Sequence, residues 1–247
     1  SATTPAERQQ PVIPLVPSDE ERMLREAVAG IASGYGPAYM LRCTDAGEPP
    51  TELWDALAEK GYCGVNLPEE FGGGGLGMTG LAAVQEELAL QGCTQLLLVV
   101  SPAIAGSILV SRGSREQQEE WLSGIARGTT RIAFAVTEPD AGTNTHNIST
   151  RARENEDGRW VLRGQKTYIS GVEHATHILV VARQELEGGE LGLPLLFIVD
   201  VDAPGLERES IPMASGVSGA GPAVSRLSKT AATRPPTRHA KNAARWL

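Results

Sequence analysis

Between Ala133 and Asn144 the chain reads Ala-Phe-Ala-Val-Thr-Glu-Pro-Asp-Ala-Gly-Thr-Asn. An apolar run enters Thr137-Glu138-Pro139 and then a loop of small residues containing Gly142 and Thr143. Proline has no backbone N–H, so Pro139 stops a strand, and Gly142 permits close approach of the backbone to another group. A strand end of this kind presents backbone N–H groups and hydroxyls to a ligand. An ordinary surface turn has the same composition, and by pattern alone the turn is slightly the better account.

Other chemistry-bearing patterns are weaker. Residues 72–77 satisfy G-x-G-x-x-G, but Pro68-Glu69-Glu70-Phe71 precedes them in place of a strand. Position 97, where a ribose-binding acid would fall, is Leu. The glycine run is a connector between helices rather than a dinucleotide fold. His174 and His177 lack a nearby carboxylate or thiol to complete a metal site. No nucleophile elbow or phosphate-binding loop is present. Ser170 and Thr137 have no His–carboxylate neighbour in the sequence that would activate them as nucleophiles.

These residues need elements to position them. The four prolines of residues 1–17 suggest an extended arm. Ser18 with Glu21 starts a helix running towards Leu41 or ending near Gly34. A helix opens at Thr51 with Leu53, Trp54, Leu57 and Ala58 on one face, and Gly61 sits at its C-cap. Thr79 to Gln91 is amphipathic, and Ser114 with Gln117 forms another capping box. Leu96 to Val110 is apolar but too short to span a membrane, and it reads as a buried helix pair broken at Pro102. From about Arg131 the pattern changes to short apolar, β-branched runs at 131–136, 148–154, 159–162, 166–170, 177–183 and 195–201. Asp157-Gly158 marks a hairpin. The fold class is α+β multidomain: a helical domain over 18–129, then a small antiparallel β-barrel over 130–212.

The chain has 247 residues, 41% hydrophobic and 21% charged, and a net charge of −8. That is globular composition, and the acidity argues against nucleic acid as a partner. Cys43, Cys63 and Cys93 follow no zinc or disulfide spacing, so reduced thiols and a cytoplasmic location are expected. No apolar signal segment opens the sequence. Residues 213–247 differ in kind. From 214 onward they carry Arg226, Lys229, Arg234, Arg238, Lys241 and Arg245, and no acid. They are expected to form an irregular, basic, disordered tail, of the composition that an out-of-frame or truncated coding sequence produces.

Four blocks, in order, resemble the acyl-CoA dehydrogenase family. Phe134-Ala-Val-Thr-Glu-Pro-Asp-Ala-Gly-Thr-Asn144 is similar to the family's aromatic-x-x-Thr-Glu-Pro-x-Ala-Gly-Ser-Asp signature. Gly164-Gln-Lys-Thr-Tyr-Ile-Ser170 resembles its Gly-x-Lys-x-Trp-Ile-Thr strand. Gly64-Val-Asn-Leu-Pro-Glu-Glu-Phe-Gly-Gly73, followed by Glu86-Glu87-Leu88, looks like its Pro-Glu-Glu-Tyr-Gly-Gly loop and Glu-Glu-Leu helix. Gly113 to Gln118 with Trp121-Leu122 fits the helix before the middle domain. The resemblance covers roughly residues 18–212 and departs after Ile211-Pro212. The family there has a strand ending in a Phe-Asp-Asp-Val-like motif and then long helices, and this sequence has neither pattern.

The resemblance implies FAD as cofactor and an acyl-CoA or other acyl thioester as substrate. The reaction is α,β-dehydrogenation, with hydride passing to flavin N5. Phe134, Ala135 and Val136 would lie along the flavin ring, and Thr137 would hydrogen-bond it. Tyr168, in place of Trp, would pack beside the ring or fill the barrel core, with Ile169 and Ser170 following on the same strand. Thr143 would contact the thioester arm. The family's base is a Glu in a C-terminal helical bundle. Nothing in this sequence corresponds to it, and neither Glu138 nor Asp140 is assigned that role. An electron-transfer acceptor and a homo-oligomer are further implied partners. Two other functions fit the same residues: a non-catalytic flavin-binding or interaction remnant, and an acyl-carrier-protein thioester dehydrogenase.

Overall fold

The computed structural model describes residues 16–211 and 222–232. Residues 1–15 of the expected arm and most of the expected tail lie outside these residues.

Seven α-helices come first among the described residues. They are α1 Asp19–Ala32, α2 Gly36–Ala46, α3 Thr51–Glu59, α4 Gly77–Leu90, α5 Leu96–Val99, α6 Ser107–Arg112 and α7 Arg115–Ala126. The Ser18 hydroxyl accepts from the Glu21 N–H at the start of α1. At α7 the Ser114 and Gln117 side chains cap each other's backbone reciprocally. One sequence expectation fails in this part. The apolar segment is not broken at Pro102, because Val100–Gly106 forms a π-helical stretch that joins α5 to α6. The wider turn absorbs the missing proline N–H. The Pro102 carbonyl accepts from Asn66 Nδ2 at 3.1 Å, and the Ser101 hydroxyl accepts from the Ile132 N–H at 3.0 Å.

The second part is a sheet of seven strands: β1 Ile132–Ala135, β2 Arg151–Glu154, β3 Trp160–Ser170, β4 His177–Glu185, β5 Leu191–Asp200, β6 Leu206–Ser210 and β7 Pro222–Ala232. The order is β1-β4-β2-β3-β7-β6, with β5 along the other side of β4. The expected closed antiparallel barrel is therefore corrected to an open, mixed sheet. β1 and β2 both run parallel to β4, pairing at Ile132↔His177 and Arg151↔Arg183. Alternation marks a strand as half-buried, but it says nothing about which strand lies beside it or in which direction.

Two further corrections concern β3 and β7. The runs 159–162 and 166–170 are one strand, continuous through Gly164. Residues 222–232, expected to be irregular, form β7, paired antiparallel with both β3 and β6. Two flanking strands satisfy its backbone, which the Pro-, Ala- and Ser-containing composition of this stretch does not announce.

Helices and sheet share one core. Leu53, Leu57, Leu88 and Leu97 from the helices pack in the same buried cluster as Ala133, Val180 and Phe197 from the strands. All three cysteines are free thiols, and burial pushes the Cys63 thiol up to about 12.

Candidate functional site

β1 ends where the Thr-Glu-Pro segment begins, and the middle of β3 lies beside it. The Thr137 carbonyl accepts from the Thr167 N–H at 2.9 Å, and the Val136 carbonyl accepts from Lys166 Nζ at 2.9 Å. Glu138 and Ala141 then exchange two backbone hydrogen bonds, each 3.1 Å, closing a tight turn across Pro139-Asp140.

A buried ion pair holds this junction. Lys166 Nζ lies 2.8 Å from Glu138 Oε1, and the two side chains are 0% and 2% exposed. Glu138 Oε2 accepts from the N–H and hydroxyl of Ser149 at 2.7 and 2.8 Å, and Oε1 accepts from the Thr150 N–H at 3.0 Å. Burial alone would raise the Glu138 carboxyl, but the donors around it outweigh burial and hold it down at about 2. Burial pushes the Lys166 ammonium down to about 8 against the opposing pull of Glu138. Both residues stand in the quoted motifs, yet the pairing was not anticipated. A signal was present. Leu162, Gly164 and Lys166 alternate along β3, which puts a lysine on the same face as a core leucine.

The candidate flavin contacts fall into distinct environments. Ala135 and Ile169 are buried, at 0% and 1% exposure, and present almost no surface to a ligand. Phe134 and Val136 are half-buried against Ala141, Ile148 and Val181. Thr137 and Ser170 are half-buried, and Thr143 is exposed beyond the Glu138–Ala141 turn. The structure joins Val136–Glu138 directly to Lys166–Thr167. Thr143 takes part in none of these hydrogen bonds.

Tyr168 does not fill a core. It is 66% exposed, and its φ is +58°, the one non-glycine residue among the described residues with positive φ. The register of β3 against β7 slips between Lys166 and Ile169, so Tyr168 sits at a bulge that turns its ring outward. A left-handed conformation costs an L-residue about 1–2 kcal/mol, and strain of this kind collects at ligand sites. Tyr168→Gly is therefore expected to stabilise the chain by about 1 kcal/mol in urea unfolding. A loss of stability would show that the ring supports the fold itself.

The donor set suits a flat, uncharged ring with carbonyl and N–H edges. It offers hydroxyls at Thr137 and Ser170, an exposed aromatic face at Tyr168, and no basic residue between Phe134 and Thr143. Thr167 Oγ1 is buried and has no partner among the described residues. No group of three metal-ligating side chains exists among the described residues, and none of their helices is long and apolar enough to cross a membrane.

Comparison with known proteins places these observations in a family. The family model described as acyl-CoA dehydrogenase, N-terminal domain, matches residues 18–129, and the one described as the middle domain matches 133–229. Acyl-CoA dehydrogenase FadE12 of Mycobacterium tuberculosis is 47% identical over 199 residues, which is 80% of this chain and 51% of that protein. The caffeyl-CoA reductase–Etf complex subunit CarC of Acetobacterium woodii is 30% identical over 76% of this chain and 50% of that protein. The chain thus spans about half the length of the curated relatives it matches. Among solved structures, a glutaryl-coenzyme A dehydrogenase–glutaryl-CoA complex superposes with a TM-score of 0.83 at 21% identity, over 94% of this chain and 60% of that one. An acyl-CoA dehydrogenase complexed with FAD from Bacillus anthracis does so at 0.80 and 24%, over 90% and 38%. Both likenesses are statements about fold. With its two domains matched in order and its Thr-Glu-Pro and Gly-x-Lys segments locked together by a buried ion pair, the chain belongs to the acyl-CoA dehydrogenase family.

Proposed function

We propose that this chain supplies the cofactor- and thioester-facing half of an FAD-dependent acyl-CoA dehydrogenase. The observation that carries the reading is the β1–β3 junction, where Thr137 lies beside a strained bulge that exposes Tyr168. Bound FAD would supply the acceptor for the hydride lost from the β-carbon of an acyl thioester. The chain's own residues bind and orient. Phe134 and Val136, the half-buried members of the run on either side of Ala135, would flank the ring. The Thr137 hydroxyl, able to donate and accept, would address a ring edge, and Ser170 offers a second hydroxyl. Tyr168 presents an aromatic face that keeps water from one side of the ring. Thr143 would meet the thioester arm.

The α-proton requires a carboxylate base, and Glu138 is unsuited to be one. Four donors occupy its oxygens, and it is held ionised at about 2. Asp140, the other acid of the turn, is exposed on the tight loop. No residue of this chain is assigned as the base. An electron-transfer flavoprotein is the proposed acceptor for the electrons. The relative CarC, 30% identical to this chain, is by name a subunit of a complex with an Etf, which supports that choice.

The test is reconstitution. The purified chain, dialysed with FAD and desalted, is expected to stay yellow, with bound flavin near one per chain and quenched fluorescence. Thr137→Val removes one hydrogen bond and is expected to weaken FAD binding about tenfold, as roughly 1.4 kcal/mol corresponds to that factor. Turnover of acyl-CoA thioesters with an artificial electron acceptor then measures activity. A folded chain that retains no flavin overturns the reading.

A further inference from the structure

Three arginines stand side by side across the sheet. Arg151 on β2 pairs in register with Arg163 on β3 and with Arg183 on β4. Residues directly opposite one another in neighbouring strands project to the same face. Their neighbours along each strand, Ala152, Leu162 and Ala182, are 0% exposed. Those neighbours face the core, so the arginine row faces outward. Arg153, two positions on from Arg151, puts a fourth cation on the same face. Arg151, Arg153 and Arg163 are exposed, and Arg183 is half-buried. One ion pair answers this charge among the described residues, Arg151 with Glu185 at 3.6 Å. Arg183 donates instead to the carbonyls of Gly192 and Leu191, at 2.9 and 2.6 Å. The side chains of Arg153 and Arg163 have no ion-pair or hydrogen-bond partner among the described residues. Like charges directly opposite on one face destabilise a sheet. Such a row, in a chain of net charge −8, points to an anion that offsets it.

We infer that this row binds a chain of phosphate groups. Strands lie about 4.8 Å apart, so the row sets its three Cα atoms over about 10 Å. Cations repeated at that interval suit the repeated anionic groups of a di- or triphosphate, and each planar guanidinium can address two phosphate oxygens at once. The row also continues the face that carries the Thr-Glu-Pro segment. Val181, two positions before Arg183 on β4, packs with Phe134, Val136, Ala141 and Ile148. The occupant is therefore either the phosphate-bearing end of a ligand seated at that segment or a free polyphosphate. The row includes no residue assigned to the flavin or the thioester arm, so the inference stands or falls separately from the proposed function.

The experiment titrates the intact chain, without flavin, with inorganic tripolyphosphate in a calorimeter. Binding is expected to saturate at one anion per chain and to weaken as salt rises, because exposed charges are screened. Arg163→Gln should weaken it about tenfold, and Arg153→Gln, beside the row, about threefold. Each removes an exposed charge from a like-charged face and should leave the melting temperature unlowered, so the variants are compared folded. Arg22→Gln, on α1, is the control for general electrostatics and should stay within about twofold of the parent. Displacement of tripolyphosphate by CoA or by FAD identifies the phosphates of a ligand seated at the Thr-Glu-Pro turn. Failure of both to displace it identifies a free polyphosphate. A hexaglutamate peptide that binds as tightly as tripolyphosphate assigns the face to an acidic protein and overturns the inference. No saturable binding, an unchanged affinity in a folded Arg163→Gln chain, or an equal loss in Arg22→Gln overturns it as well.

Discussion

Lys166→Met is expected to cost about 3–5 kcal/mol of folding free energy, because it leaves a carboxylate buried without its counter-charge. Glu138 is 4% exposed, and the lysine also binds the Val136 carbonyl. Methionine fills much of the lysine's volume, so the loss reports charge and hydrogen bonding more than a cavity. Urea unfolding of both proteins measures it, and a change below about 1 kcal/mol would show that the pair carries little. The variant also frees the Val136 carbonyl, so FAD binding should weaken in whatever fraction stays folded. Acid provides an independent check. The Glu138 carboxyl is lowered from 4.5 to about 2 in the folded chain, so its contribution is fully present above pH 4.5. It is lost as pH falls from there through about 2. Glu138→Gln should flatten that part of the stability–pH curve.

Gly164→Ala is the second large effect, expected at about 1–3 kcal/mol. A Cβ at this position would come within 2.7 Å of Thr150 Cα, which is backbone and cannot swing aside. Thr150 is fully buried and donates its N–H to Glu138, so displacing it disturbs the same ion pair. The glycine and lysine of Gly-x-Lys thus act on one junction, and the two substitutions should be non-additive when combined. Gly142→Ala is the control. A Cβ there meets nothing within 4 Å, and stability should stay within about 0.5 kcal/mol. If Gly142 admits a ligand closely, as its place in the loop suggests, the same substitution should weaken FAD binding without touching the fold. A Gly164→Ala chain as stable as the parent would sink the close-packing account.

Local rules written in the residues determined the helices. Ser18 and Ser114 cap where their spacing to Glu21 and Gln117 says they should, and the apolar stripe through Leu53 and Leu57 faces the core. The motif order was likewise enough to recognise the family, since its blocks are contiguous. Strand pairing was decided only in three dimensions. β1 reaches its partner β4 across an intervening hairpin, and β7 is held by β3 and β6 although its composition is that of a loop. The site shows the same division. Thr137 and Ser170 were legible as hydroxyls at strand ends, but the outward turn of Tyr168 follows from a register slip against β7. Glu138 and Lys166 stand 28 positions apart, and nothing local couples them. Caps and amphipathic faces depend on neighbours a few residues away, so the sequence contains their cause. Register, bulges and buried charge pairs depend on what distant segments bring to the same place.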